Sequence, residues 1–216
     1  MARIDVPQLD HLDMMIFTFI YFDLVVVIDT PQLLRFICRT PKLQAPDKAR
    51  VAINTTDGNF QIEFWRPGQV SSIVRLKVNS EDPEQQFRSL AQFCHSPLFP
   101  LPTLESLYID GDQFSVQHQQ DNDESTRWLE LLRPFTFVKN LFLSMDFAPC
   151  IARVLQGLVG EGAMEVLPSL ENVFIEEFQP LGSVHEGFGQ FVAERQLSGQ
   201  PVVISRWDKT GSGAGY

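Results

Sequence analysis

The amino-acid sequence predicts an α/β fold in which a curved, mostly parallel β-sheet carries helices on one face. Two observations predict it: short apolar segments typical of strands alternate with segments of helical periodicity, and one apolar pattern recurs at nearly constant spacing. At 216 residues and 44% hydrophobic content, the chain can bury one sizeable core. We expect a single domain over residues 1–207 and a flexible Gly- and Ser-rich tail over residues 208–216.

The recurring pattern is apolar-x-x-apolar-x-apolar, and each copy is typical of a short strand between polar, Pro or Gly residues. Its copies are Leu9/Leu12/Met14, Ile73/Leu76/Val78, Leu104/Leu107/Ile109, Val138/Leu141/Leu143 and Leu170/Val173/Ile175. The last four begin 31, 34 and 32 residues apart. Because each unit of such an array buries its apolar stripe against the next unit, stacking curves the sheet and leaves its other face open. The pattern predicts a repeat array of strand-then-helix units.

Helical periods follow the strands. Apolar residues spaced for one helix face run from Phe87 to Cys94, from Trp128 to Phe135 and from Ile151 to Leu158, with shorter versions at Leu34 to Cys38 and Phe188 to Val192. Pro83 suits the first turn of its helix, and Gly160 is expected to end the third helical period. These helices are expected to cover one face of the sheet.

One segment departs from the alternation of strand and helix. Ala49–Asn54 and Phe60–Trp65 are typical of two strands, and the Thr-Thr-Asp-Gly between them favours a tight turn. The most apolar stretch, Met14–Ile28, is shorter than the roughly 20 residues of a membrane-spanning helix and contains Asp23. We therefore expect a β-hairpin near residues 49–65, one or two buried strands within residues 14–28, and no membrane anchor.

Charge and cysteine content limit the possible partners and compartments. Seventeen basic residues against 27 acidic ones give a net charge of −10, which argues against nucleic-acid binding because phosphates require clustered Lys and Arg. Cys38, Cys94 and Cys150 each fall in an expected helix beside apolar neighbours, as reduced buried thiols do. We expect an intracellular protein, cytoplasmic or nuclear.

The acidic and histidine-containing segments do not match metal-binding patterns. Asp110–Asp112 and Asp121–Glu124 lack the spaced ligands and the closing Glu of a calcium loop. They are more typical of a solvated loop whose last acids stabilise the start of the next helix. His185 and Glu186 begin a zinc-protease pattern, but Gly189 stands at the position of its second His. We expect no bound metal ion.

Catalytic and cofactor patterns are also missing from the sequence. Gly157, Gly160 and Gly162 follow a helix where a phosphate-binding loop would precede one, and no Lys-Ser/Thr pair comes next. No G-x-S-x-G motif marks a nucleophile. We therefore expect no catalytic residue and no cofactor.

Period-two alternation places a row of aromatic residues on the open face of the sheet. Tyr108, Phe142 and Phe174 occupy the same position in three successive copies, and Lys77 occupies it one copy earlier. The polar residues expected to frame this row are Ser106, Asn140 and Asn172 on one side and Asp110, Ser144 and Glu176 on the other. Aromatic residues within a polar frame are typical of protein-recognition surfaces.

We therefore predict a partner-binding site formed by Tyr108, Phe142, Phe174, Lys77, Asn140 and Asn172. If the row binds a partner, Phe142→Ala should weaken binding and leave the fold intact. The alternative is that the rings only stack on one another, or that a loop or the tail covers them, since aromatic ladders also stabilise sheets.

Several long strings resemble one protein family. They are TPQLLRFICRTPKL, FRSLAQFC, WLELLRPFTFVKNLFLSMDFAPCIARVLQGLVGEGAMEVLPSLENVFIE and GFGQFVAERQLSGQPVVISRW. Together they are similar to the C-terminal half of F-box/leucine-rich-repeat-like proteins of mushroom-forming fungi, over most of residues 9–207. The resemblance implies an irregular leucine-rich-repeat-like array that acts as the substrate-recognition half of a ubiquitin-ligase adaptor.

The chain departs from that family in two respects. Nothing before Leu9 resembles the three-helix F-box that docks on the ligase's linker subunit, so we do not expect this docking. The Asn that follows the last Leu in regular leucine-rich repeats is replaced by Asp112, Asp146 and Phe178, which predicts irregular repeats.

The function expected first is a non-catalytic protein-interaction module, the substrate-recognition part of an F-box-type adaptor without its F-box. A second hypothesis is a small-molecule-binding protein or enzyme with a pocket at the carboxyl ends of the strands, where open parallel sheets bind ligands. A third is a truncated remnant with no selected partner. A shallow, open aromatic face would favour the first hypothesis, a deep pocket lined by titratable groups the second, and failure to detect the protein in cells the third.

Overall fold

The computed structural model describes residues 12–17, 39, 45–54, 59–68, 74–79, 83–95, 101–112, 122–158, 162–177 and 183–208. Three features of the sequence lie outside these residues: the helix expected between Leu34 and Cys38, the residue His118, and the tail from residue 209 onward.

Strands and helices alternate along the described chain as the periodicities predict. The strands are β1 (Leu12–Phe17), β2 (Lys48–Asn54), β3 (Asn59–Trp65), β4 (Val74–Asn79), β5 (Ser106–Asp112), β6 (Asn140–Leu143), β7 (Asn172–Glu176) and β8 (Val203–Trp207). The helices are α1 (Pro83–Cys94), α2 (Asn122–Leu132), α3 (Ala148–Gln156), α4 (Gly162–Glu165) and α5 (Ser183–Leu197), with a 3₁₀ turn at Leu101–Thr103. The α/β class is confirmed.

All of these strands form one mixed sheet in the order β1-β4-β3-β2-β5-β6-β7-β8. Pairing is parallel from β2 through β5, β6 and β7 to β8, and between β1 and β4. The pairs β2–β3 and β3–β4 are antiparallel. The sheet is therefore mostly parallel, as expected.

The expected hairpin is confirmed as β2 and β3, with Asn54 opposite Asn59. The chain then turns back again, so β4 pairs with β3 and lies three positions from β5 in the sheet. This meander corrects the expectation that the copy at Ile73–Val78 lies directly beside the copy at Leu104–Ile109. Short antiparallel connections pair consecutive strands, and β3 and β2 consequently come between the two copies.

A repeated backbone contact fixes the register of the parallel strands. In each unit one carbonyl oxygen, just before a strand, accepts hydrogen bonds from two consecutive N–H groups of the next unit. These contacts are Asp47 O with the N–H groups of Glu105 (2.9 Å) and Ser106 (3.0 Å), Glu105 O with Lys139 (2.9 Å) and Asn140 (3.0 Å), and Lys139 O with Glu171 (2.9 Å) and Asn172 (2.9 Å). Equivalent residues of successive units are therefore held side by side.

The apolar positions of the recurring pattern form the core between the sheet and the helices. Every such residue in the copies starting at Leu104, Val138 and Leu170 is at most 2% exposed. The helices α1, α2, α3 and α5 pack side by side in this order, and the ring of Trp128 contacts Phe87 edge-on at 5.0 Å. The alternation of buried and partly exposed residues along β6 and β7 separates this core from the open face.

Some helix ends differ from the expectation. Helix α3 ends at Gln156, and Gly157 caps it by donating its N–H to Arg153 O, so Gly160 does not end this helix. Helix α2 ends at Leu132, and Phe135 is buried just beyond it. The four-residue helix α4 was not predicted because it is too short to show a helical period.

Gly111 allows β2 and β5 to pair closely. A Cβ at this position would lie 2.0 Å from Ile53 O, far inside contact distance. Only glycine fits where the two strands approach in this way.

Candidate functional site

The aromatic row lies on the face of the sheet opposite the helices. Tyr108 of β5, Phe142 of β6 and Phe174 of β7 are adjacent in the strand register, as the alternation predicts. We call these three residues the ring row. Their side chains are half-buried, whereas the residues before and after each of them point into the core.

The rings of the row stack on one another in nearly parallel planes. Tyr108 and Phe142 have ring centroids 4.3 Å apart at an interplanar angle of 8°, and Phe142 and Phe174 are 4.6 Å apart at 12°. One part of the alternative expectation is therefore observed, since the rings do contact each other. The stack presents one rigid apolar strip on the open face.

Trp207 adds a fourth ring that sequence reasoning missed. It ends β8, is 7% exposed, and meets Phe142 at 5.5 Å and Tyr108 at 5.9 Å in edge-to-face geometry. Its contacts cover part of the ring row. The signal that could have found it is the alternation of Val203, Ser205 and Trp207 in the last strand, which puts all three on the open face.

A pair of asparagines borders the ring row toward the start of the strands. Asn140 and Asn172 are neighbours in the register, and Asn172 Nδ2 donates a hydrogen bond to Asn140 Oδ1 at 2.9 Å. Both side chains are half-buried, and Ser106 continues the line on β5. These two predicted site residues are therefore together and adjacent to the rings.

Lys77 does not continue the ring row. Because β4 is separated from β5 by β3 and β2, Lys77 lies three strands from Tyr108 and two residues beyond the residue of β4 that is in line with it. In the strand register Tyr108 is the neighbour of Arg50, Arg50 that of Glu63, and Glu63 that of Arg75. Arg75, two residues before Lys77, takes the position that the repeat spacing assigned to Lys77.

Charged residues next to the ring row form a network on the same face. Arg50 Nε donates to both carboxylate oxygens of Asp110, at 2.9 and 3.0 Å. Glu63 lies between the two arginines, with Oε2 3.4 Å from Arg50 Nη1 and Oε1 2.5 Å from Arg75 Nε. We call Arg50, Glu63, Arg75 and Asp110 the charge network.

The two acids of the charge network are buried, and its two arginines are not. Side-chain exposure is 3% for Glu63 and 1% for Asp110, against 28% for Arg50 and 37% for Arg75. A buried carboxylate requires compensating cations, and these two receive them from neighbouring strands. Asp110, considered in the sequence as part of an acidic loop, is thereby bound to an arginine.

Few groups in the described residues have the properties of a reactive centre. Burial raises the pKa of the Cys94 thiol to about 12, so it remains protonated at neutral pH and is a poor nucleophile. Among the described residues, no group of three or more His, Cys, Asp or Glu side chains is arranged to hold a metal ion. His185 and Glu186 are exposed on α5.

Arg195 is a further buried charge, away from the open face. It is 0% exposed, and Nη2 donates to Pro168 O (2.9 Å) and Leu170 O (3.0 Å), just before β7. Burial lowers the pKa of this guanidinium. Its contacts join α5 to the segment that leads into β7, which is a structural role that the sequence did not reveal.

Compared with models of protein families, with curated proteins and with solved structures, the chain matches none. Within the described ranges, no helix is both long and apolar enough to span a membrane.

Proposed function

We propose that this protein is a non-catalytic interaction module that binds a protein partner through the open face of its sheet. The observation that carries the proposal is the ring row: three half-buried, stacked aromatic side chains on the face opposite the helices, bordered by the Asn140–Asn172 pair and by charged residues. Such a surface offers a binding partner an apolar centre with polar surroundings.

The rigidity of the ring row supports this proposal. Aromatic side chains provide a large contact area with few rotatable bonds, and stacking restricts them before any partner arrives. Binding then costs little additional side-chain entropy. The same stacking stabilises the sheet, so the rings contribute to both the fold and the proposed site.

The family resemblance supports a more specific form of the proposal. In that form, the array is the substrate-recognition part of an F-box-type ubiquitin-ligase adaptor and works in the cytoplasm or nucleus. The repeated carbonyl contacts, which hold equivalent residues of successive units side by side, are compatible with a repeat array. The partner in this case is a protein destined for ubiquitination.

The experiment is affinity capture with matched variants. The tagged protein is recovered from cells together with its partners, in its original form and as Phe174→Ala and Phe137→Ala. Phe174 has one ring contact among the described residues, so its truncation removes part of the binding surface at modest cost to the fold. Phe137 is 51% exposed in the turn between α2 and β6 and serves as the control.

We expect a partner that is captured by the original protein and by Phe137→Ala and is lost or strongly reduced with Phe174→Ala. Hot-spot aromatic residues typically contribute about 2 kcal/mol or more to binding, which corresponds to about a 30-fold loss of affinity. Equal capture by all three proteins would show that the ring row is structural. Recovery of the ligase linker subunit would separately support the adaptor role.

A further inference from the structure

On one side of the ring row, the part-exposed members of the charge network are its two arginines. Beside Tyr108 lies Arg50, and two strands further lies Arg75, while the acids that pair with them are buried. The side chains of the charge network that a partner can reach are therefore those of Arg50 and Arg75. A partner that approaches this part of the face meets cations before it meets carboxylates.

Two lysines lie on the same strands as these arginines. Lys48 precedes Arg50 by two residues on β2, Lys77 follows Arg75 by two residues on β4, and both are half-buried on the same face. Asp13, the register neighbour of Arg75 on β1, adds an acidic position at the edge of the sheet. Four basic side chains on β2–β4 thus lie beside two buried acids, Glu63 on β3 and Asp110 on β5, in a chain of net charge −10.

We propose that the partner of this face is an acidic peptide segment that lies in extended form across the strands. One aromatic or large apolar side chain of the segment contacts the ring row, and its carboxylates contact Arg50 and Arg75. This inference rests on the proposed function and specifies its partner by charge complementarity, which selects partners and orients them on binding. Bidentate contact with carboxylates is a property of arginine in particular.

The strand register gives the spacing of the recognised residues. Arg50 is two strands from Phe142, and Arg75 is four strands from it. With neighbouring strands about 4.8 Å apart, these separations are about 10 and 19 Å. An extended segment advances about 3.3 Å per residue, so its acids should follow or precede the anchor residue by about three and six positions.

The test uses a displayed library of random 12-residue peptides and the full chain as bait. We expect enrichment of peptides with an aromatic or large apolar residue and acidic residues about three and six positions away. Peptides that bind the Phe174→Ala chain equally well are removed by counter-selection. An enriched peptide, labelled with a fluorophore, is then titrated with purified variants at low and high salt.

Arg75→Gln is the informative variant, because Arg50 still contacts Glu63 and still holds Asp110. We expect a roughly two- to fivefold weaker affinity for the peptide, the range for one exposed ion pair, and weaker salt dependence. Arg153→Gln, an exposed position on helix α3, is the matched control and should bind normally.

The outcomes separate this inference from the proposed function. The proposal of an acidic partner would be overturned by peptides that require Phe174 but show no excess of acidic residues, or that bind Arg75→Gln normally. The proposed interaction surface would then still stand. If counter-selection with Phe174→Ala removes every peptide that the original chain binds, the proposed surface itself fails. Absence of any enrichment would also count against the inference, because the library presents extended segments of this kind.

Discussion

Truncation of the central ring should destabilise the protein more than truncation of its neighbour. Phe142 contacts Tyr108, Phe174 and Trp207, with ring centroids 4.3, 4.6 and 5.5 Å away. Each aromatic pair contributes about 0.5–1.5 kcal/mol beyond the burial of its area. The lost pairs alone therefore predict that Phe142→Ala lowers the free energy of unfolding by about 1.5–4.5 kcal/mol. This revises the expectation from sequence that the variant keeps its fold unperturbed.

The same reasoning predicts a smaller effect at Phe174. Its one ring contact among the described residues is with Phe142, so the loss of that pair in Phe174→Ala costs about 0.5–1.5 kcal/mol. Phe137→Ala, at a position 51% exposed and away from the row, should change stability by less than about 0.5 kcal/mol.

The assay is urea unfolding of the original chain and the three variants, followed by far-ultraviolet circular dichroism. The midpoint shifts should rank Phe142→Ala above Phe174→Ala above Phe137→Ala, with unchanged slopes. Equal losses for Phe142→Ala and Phe174→Ala would refute the argument, because they would show that the central ring gains nothing from having three neighbours.

Three further predictions concern residues outside the ring row. Gly111→Ala should lower stability by about 3 kcal/mol or more in thermal unfolding, since its Cβ would overlap Ile53 O. Gly189→Ala, in helix α5 with no atom within 4 Å of the added Cβ, should raise stability by about 0.5–1 kcal/mol. Arg195→Met should cost about 2 kcal/mol or more by the same measurement, because the buried carbonyl of Leu170 loses its donor; an unchanged melting temperature would contradict this role. Burial raises the pKa of Cys94 from 9.0 to about 12, so its contribution to the free energy of unfolding should be fully present below pH 9 and fall by about 1.4 kcal/mol per pH unit above it. In urea titrations from pH 8 to 11, Cys94→Ala should lack this part of the alkaline loss of stability.

The charge network has a structural consequence beyond its proposed role in binding. Glu63, Arg50 and Arg75 come from the three strands of the antiparallel meander and meet on the open face. A shift of one residue in the pairing would turn these charges into the core and the apolar residues outward. The network therefore selects one register for β2, β3 and β4, in addition to any contact with a partner.

Much of the candidate site could be predicted from sequence because alternation is a local property. Knowing that Leu107 and Ile109 face the core is enough to place Tyr108 on the other face, and the same holds for Phe142 and Phe174. The constant repeat spacing then brings the three rings side by side. The predicted position of Lys77 in line with the rings is wrong, because its strand β4 precedes β5 in the chain but is not the neighbour of β5 in the sheet.

Local residue patterns are sufficient to predict the α/β class, the hairpin at β2 and β3, the residues of the core and the face on which the ring row lies. The order of the strands, the coverage of the rings by Trp207 and the contacts of Arg50 with Glu63 and Asp110 become visible only in the folded chain. The difference arises because periodicity depends on residues a few positions apart. Strand neighbours depend on pairings between segments distant in the chain, which no local pattern specifies.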